Sequence, residues 1–253
     1  MDNKRVVLIG DSGVIGNCLT KRLCAAGWEI VRLGGIDVSE KKALEKLRAV
    51  LHKSDVVIDL SSPPSYESKI CREYLLTMTR RLLKEEACAK VAHHILLSTV
   101  GADRLPGNGY FEAKAAQEAL VESANVPFSI VRSTPLFDVI PGIANANCTA
   151  GNIKVSTAMF QPIASEDVAL ALADAASGRP MYGCVDVAGP ERAPFDEFMR
   201  RYLAILGDQR CVEADPKATY FGGRASQMSL VPIKSARIGR TNLTAWCESA
   251  AVR

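Results

Sequence analysis

The stretch GYFEAKAAQE, residues 109–118, holds a tyrosine and a lysine four positions apart. On a helix, Tyr110 and Lys114 would share one face, a single turn from each other. A phenol with its ordinary pKa of about 10 is a poor acid–base group at neutral pH. A fixed cation beside it is what such chemistry requires. The same helix can also be explained without chemistry. Ala113, Ala116, Leu120 and Ala124 form an apolar stripe, and Lys114 can pair with Glu118 at i+4, in the weaker of the two orders. What decides between these readings is whether a nucleotide site lies beside the pair. LIGDSGVIG (8–16) offers one. Gly10, Gly13 and Gly16 stand where an apolar run turns into a helical pattern, with Asp11, Ser12, Val14 and Ile15 among them. Glycine there lets backbone approach a pyrophosphate seated on the helix N-terminus, an approach that a Cβ would block. Alone such a triplet is weak. Immediately after an apolar strand and opening an amphipathic helix, it is a strong signal.

Two further segments fit a dinucleotide. Arg32 closes the second apolar run, where sites specific for NAD usually place an acid, and no acid occurs between Val31 and Ile36. A guanidinium there can grip a 2′-phosphate, so NADP(H) is the expected cofactor and NAD the second choice. The plain alternative is a surface arginine. LSSPPS (60–65), with Leu60, Ser61, Ser62 and Pro63, follows the apolar run DVVIDL, at the edge where ribose and nicotinamide should pass. Its alternative is an ordinary proline-rich loop.

These residues need a scaffold, and the chain alternates in a way that supplies one. RVVLIG (5–10), EIVRL (29–33), DVVIDL (55–60), HILLST (94–99) and FSIVR (128–132) read as buried strands. Helical patterns separate them, including one at 39–52 with Ser39 as its N-cap and one at 110–124. The alternation implies right-handed crossovers and a doubly wound parallel sheet, an α/β Rossmann-type fold. After residue 132 it loosens. Residues 135–155 read as a long Gly-, Asn- and Pro-rich excursion, followed by a strand at 159–163 and a helix at 166–176. A strand at 184–188, a helix at 195–206 and an irregular remainder complete the chain. The expected organisation is a dinucleotide-binding core over 1–134 and a substrate-binding part over 135–253, integrated as a single domain. Asp167 and Ser165 read as structural at the start of the 166–176 helix, with Ser165 as its cap. Phe137 and Phe160 could wall a pocket or fill a core.

Composition narrows the class. A chain of 253 residues, 48% hydrophobic and 23% charged, suits a globular α/β protein. A net charge of +3 is too small to point to nucleic acid, and no run approaches the roughly 20 apolar residues of a membrane span. No leader peptide is visible, and the eight cysteines lack CxxC spacing, which points to reduced thiols in a cytoplasm. The three histidines have no partners at metal-ligand spacing, so no metal is expected.

HHILLSTVGADRLPGNGYFEAKAAQEAL (93–120), VPFSIVRSTPLF (126–137), QPIASEDVALAL (161–172) and VDVAGPE (185–191) together resemble the extended and atypical short-chain dehydrogenase/reductase superfamily, in its NmrA-like branch. The glycine spacing GxxGxxG fits the same group. Ile9, where many extended members carry Thr, and SSPPS, where they carry an Asn/Ala-rich run, depart from it. The resemblance implies that Tyr110 is the acid–base and that Lys114 holds the nicotinamide ribose and lowers the phenol pKa. It implies that a hydroxyl at the end of the 94–99 strand orients the substrate oxygen, Thr99 first and Ser98 as its close rival. It also places Asp37 and Val38 against the adenine and Thr134 beside the cofactor. Asp37 can equally be a helix-entry acid. The implied activity is an NADP(H)-dependent oxidoreductase acting on a small carbonyl or alcohol, a quinone or an enone. The alternatives are a redox-sensing regulator that binds NAD(P) without turnover, and a sugar-nucleotide epimerase or dehydratase. The partner expected is a small-molecule substrate, and the sequence leaves the oligomeric state open.

Overall fold

Strand β1 (Arg5–Ile9) is apolar on both faces, and the packing uses both. Val6 and Leu8 turn to one side of the sheet, Val7 and Ile9 to the other. The structure is a computed structural model that describes residues 4–34 and 40–251. From β1 the chain runs through α1 (Val14–Ala25), β2 (Glu29–Leu33), α2 (Lys41–Leu51), β3 (Val56–Asp59), α3 (Ser68–Ala89), β4 (His93–Thr99), α4 (Gly109–Glu122) and β5 (Phe128–Ser133). Every pairing in the main sheet is parallel, in the order β2–β1–β3–β4–β5, extended beyond β5 by β9 (Cys184–Ala188) and β14 (Arg237–Ile238). Parallel strands need crossover helices, and burial on both faces follows from them. Leu19 and Leu23 of α1 share one face with Val168 and Leu172 of α6 (Ser165–Ser177). Leu47 and Leu51 of α2, with Met78 and Leu82 of α3, cover the other beside β1 and β3. Farther along that second face, Leu83 of α3 and Val121 of α4 cover Leu96 and Ile130. Strand order reverses between β1 and β3, and ligands of such sheets bind outside the carboxyl ends of strands at that point.

Beyond residue 134 the structure is more regular than the sequence predicts. The 135–155 excursion contains a 3₁₀ turn, helix α5 (Ile140–Ala146), and strands β6 (Cys148–Thr149) and β7 (Asn152–Val155). Of the expected 159–163 strand only β8 (Met159–Phe160) forms, paired with β10 (Ala193–Pro194) ahead of α7 (Phe195–Leu206). The remainder is ordered too: β11 (Cys211–Ala214) joins β7, β12 (Thr219–Tyr220) and β13 (Gly223–Arg224) make a hairpin, and α8 (Leu243–Ala251) ends the described chain. These pieces surround a second core. Phe160 stacks on Phe195 with centroids 4.2 Å apart, and Phe137 lies fully buried among them. Phe137 and Phe160 are therefore core residues. Leu105 and Phe111 enter the same core from the β4–α4 region, so both halves of the chain build it.

One of the two predicted helix caps needs correction. Ser39 lies outside the described residues. Ser165 is the first residue of α6, not its cap, and its hydroxyl donates to Asp138 Oδ2 at 2.7 Å. Asp167 stays structural, accepting from the backbone N–H groups of Arg240 and Thr241. His94 sits fully buried in β4 and bonds Glu86. Among the described residues no helix is long and apolar enough to cross a membrane, no three-residue metal cluster occurs, and no disulfide forms.

Candidate active site

A cleft of about 440 Å³ opens where β1, β3 and β4 end. Gly10, Ser12, Gly13, Val14, Ile15 and Gly16 line it at the start of α1. Gly13 is the N-cap residue and lends no side-chain cap, so the first-turn N–H groups, which have no intrahelical partner, are left for a ligand. The three glycines differ in what they do. A Cβ on Gly10 (φ +70°) would lie 2.7 Å from the Cα of Ser61, and one on Gly16 would overlap the Asp11 carbonyl. Those two permit close packing of turn, helix and β3 loop. A Cβ on Gly13 would meet nothing within 4 Å, so this glycine keeps the cleft itself open.

Arg32 stands at the end of β2 as expected, and neither it nor Asp11 lines the cleft. Asp11 is buried, does not line the cleft, and forms an ion pair with Arg32. Arg32 also donates to the Asp11 carbonyl at 3.0 Å and to Asn17 Oδ1 at 3.1 Å, leaving its side chain 43% exposed. Asp11 thus acts on the guanidinium, not on the cleft. Leu60, Ser61 and Ser62 line the cleft, whereas Pro63 is buried and does not line it. Asp37 and Val38 lie outside the described residues.

The α4 pair meets the same cleft. Tyr110 and Lys114 both line it, together with Ser98, Thr99 and Thr134. Lys114 is buried, and an ammonium there without partners would cost several kcal/mol. It donates to three acceptors: Gln117 Oε1 at 2.9 Å, Leu97 O at 3.0 Å and Ser61 O at 3.3 Å. Gln117 in turn donates to Asp59 Oδ2 and Thr79 Oγ1, which fixes its oxygen toward the lysine. Burial lowers the Lys114 pKa, and the carboxylates of Asp59 and Glu118 work against that. Glu118 itself forms its ion pair with Arg132, so the i+4 pairing considered for Lys114 is not made. Burial pushes the Tyr110 phenol above its ordinary range, with Tyr66 and Cys71 adding to the rise. A lowered phenol pKa is thus not seen: the lysine charge is spent on its three acceptors, and Nζ lies 6.0 Å from the ring centroid.

Strand alternation separates the two candidate hydroxyls. Leu96 packs with α4 residues, while Leu97 packs against the α1/α6 side. Ser98 therefore follows Leu96 toward α4, and Thr99 follows Leu97 away from it. Thr99 Oγ1 reaches the Ser133 carbonyl at 3.5 Å. Ser98 Oγ is buried and has no hydrogen-bond partner, and neither have Ser61 Oγ and Thr134 Oγ1. Three unpaired, buried hydroxyls on residues that line one cleft are unusual, because buried polar atoms are nearly always paired.

Sequence reasoning missed Tyr66, Asn108, Asp138, Tyr220 and Phe221, which also line the cleft. Asn108 had a legible signal, since Asn before a helical pattern is a favoured N-cap. Its Oδ1 accepts from the N–H groups of Tyr110 and Phe111, while its Nδ2 donates to the carbonyls of Tyr220 and Phe221. The others are far from the motifs in sequence and reach the cleft only through tertiary folding.

The sheet order and the glycine turn at its switch point define a Rossmann-type α/β fold. No known family profile matches the chain, and no curated protein matches it. Solved structures do. A dTDP-4-dehydrorhamnose reductase from Clostridium acetobutylicum superposes with a TM-score of 0.76 at 16% identity, over 98% of this chain and 99% of that one. A UDP-glucose 4-epimerase from Thermotoga maritima, solved with UDP-glucose, gives 0.75 at 13% identity, over 98% and 100%. A short-chain dehydrogenase/reductase superfamily protein from Agrobacterium tumefaciens, solved with NAD, gives 0.70 at 13% identity, over 98% and 96%. At these identities the likeness is one of fold, and it runs the length of the chain.

Proposed function

We propose that the protein is an NADP(H)-dependent oxidoreductase that reduces a small carbonyl compound. The observation that carries this is the single cleft lined by the glycine turn, Ser98, Thr99, Tyr110 and Lys114. The residues fit a dinucleotide: open space over Gly13 and first-turn N–H groups without an intrahelical partner. When bound, the nicotinamide would supply a hydride to the carbonyl carbon. Tyr110, a phenol that is protonated at neutral pH, gives its proton to the carbonyl oxygen, so that the product is an alcohol. Ser98, free and on the α4 side of β4, takes the orienting role in preference to Thr99. Lys114 holds the ribose, and its longest bond, to Ser61 O, is the one that yields most easily. Preference for NADP(H) rests on Arg32, which Asp11 holds at the end of β2.

The test is NADPH oxidation across a panel of carbonyl, quinone and enone substrates, repeated on variants. Tyr110→Phe should slow turnover by about 10²–10⁴-fold and leave cofactor affinity intact. Lys114→Ala should damage both, and Ser98→Ala should cost more than Thr99→Ala. Turnover indifferent to Tyr110→Phe removes that residue from the chemistry. Tight NADPH binding with no turnover on any substrate would favour the regulator instead.

A further inference from the structure

We infer that the substrate end of this cleft takes an uncharged, planar ring compound and rejects phosphorylated ligands such as nucleoside-diphosphate sugars. The inference rests on the cofactor reading above, and it concerns what lies beside the cofactor. A fold shared with an enzyme solved with UDP-glucose does not decide the matter, because specificity lives in the walls of the site.

The walls carry the wrong charge for a diphosphate. Among the described lining residues only Lys114 and Asp138 are of the acidic or basic types. Lys114 is enclosed and already bonded to three acceptors. Asp138 lines the cleft, and its Oδ2 accepts from Ser165. A diphosphate would enter beside a carboxylate with no arginine or free lysine to meet it. Like charges in a partly desolvated site are an effective means of rejection.

The same walls are rich in aromatic surface. Tyr66 and Phe221 are 64% and 57% exposed, yet both line the cleft and stack on each other at 6.3 Å between centroids. Tyr66 also meets the edge of the Tyr110 ring at 5.5 Å. Phe221 occupies the first central position of the β12–β13 turn with φ +46°, followed by Gly222 at +85°. A bulky residue in the left-handed region is strained, and the hairpin would be easier with Asn or Gly there. The Asn108 amide holds it by donating to the Phe221 and Tyr220 carbonyls. A large ring kept half in water on a strained backbone gains nothing for the core. Its gain comes when a flat ligand covers it.

The experiment is calorimetric titration of the protein saturated with NADP⁺, where no hydride is available and binding is read alone. The probes are 2-acetylnaphthalene, its anionic counterpart 6-acetyl-2-naphthoate, and UDP-glucose. The neutral ketone should bind, and Phe221→Ala and Tyr66→Ala should each weaken it about tenfold while NADP⁺ affinity holds. The carboxylate should bind about tenfold or more weakly than the ketone, and Asp138→Asn should narrow that gap. UDP-glucose should give no heat at about 1 mM, a level that would reveal even millimolar affinity. Binding of UDP-glucose more tightly than the ketone, or ketone affinity unmoved by either aromatic substitution, would overturn the inference. Failure of NADP⁺ itself to bind, measured first, would count against the cofactor reading.

Discussion

Arg32 shows how a residue can be visible in sequence while its environment is not. Its position at the end of the second strand and the lack of an acid nearby were both legible. The partner was not, because Asp11 lies 21 positions earlier and meets the guanidinium only once β1 and β2 pair. The carboxylate holds the guanidinium in place and cancels part of its charge. A charge-assisted contact is worth about 1.5–3 kcal/mol, and the pairing puts Arg32 at the lower end. Arg32→Ala should therefore weaken NADPH by roughly tenfold and leave NADH unchanged, as read by fluorescence titration of both cofactors. Equal affinity of the wild type for the two cofactors would show that Arg32 does not select. The choice between Ser98 and Thr99 has the same character. Sequence placed both at the strand end, and only the packing of Leu96 and Leu97 assigned their faces.

At the level of elements, Asn108 is the joint between the two halves of the cleft. One side chain caps α4 and tethers the hairpin that carries Phe221. Two glycines make the approach feasible. A Cβ on Gly223 would come within 2.7 Å of the Asn108 Cβ, and one on Gly109 would overlap Ser68 at the start of α3. The second contact also sets Tyr66, just ahead of α3, against Tyr110. Asn108→Ala should cost about 1–3 kcal/mol, combining a lost cap with carbonyls left unpaired. Asn108→Asp separates the two tasks, since a carboxylate caps a helix well but cannot donate to carbonyls. Hydrogen exchange across 219–224 should rise in the Asp variant while α4 stays protected. Unchanged exchange there would mean that the hairpin holds itself. Elements of this kind were poorly legible. The strands β8, β10, β12 and β13 have two residues each, too few to show a period, and they form around the second core; β14, equally short, adds to the edge of the main sheet beside β9.

Across the whole molecule, legibility followed the distance over which the ordering forces act. Strands β1 to β5 and their helices announce themselves by local apolar runs, buried on both faces by crossovers that the chain must make. The last two strands of the sheet come from the second half of the chain, and α6 packs on α1, so the sheet is finished by residues far from the motifs. The cleft inherits this division: its glycine turn and Tyr–Lys pair could be read from sequence, and its aromatic and acidic walls could not. The turn at residues 10–16 is proposed to cradle a dinucleotide, and one titration tests this most directly. Gly13 has ordinary backbone angles, φ −86° and ψ −177°, and open space where a side chain would grow. Gly13→Val should thus fold and melt cooperatively like the wild type, while filling the place of the pyrophosphate. NADPH should bind the wild type and show no measurable binding to this variant. Wild-type affinity in a folded Gly13→Val protein would contradict the account.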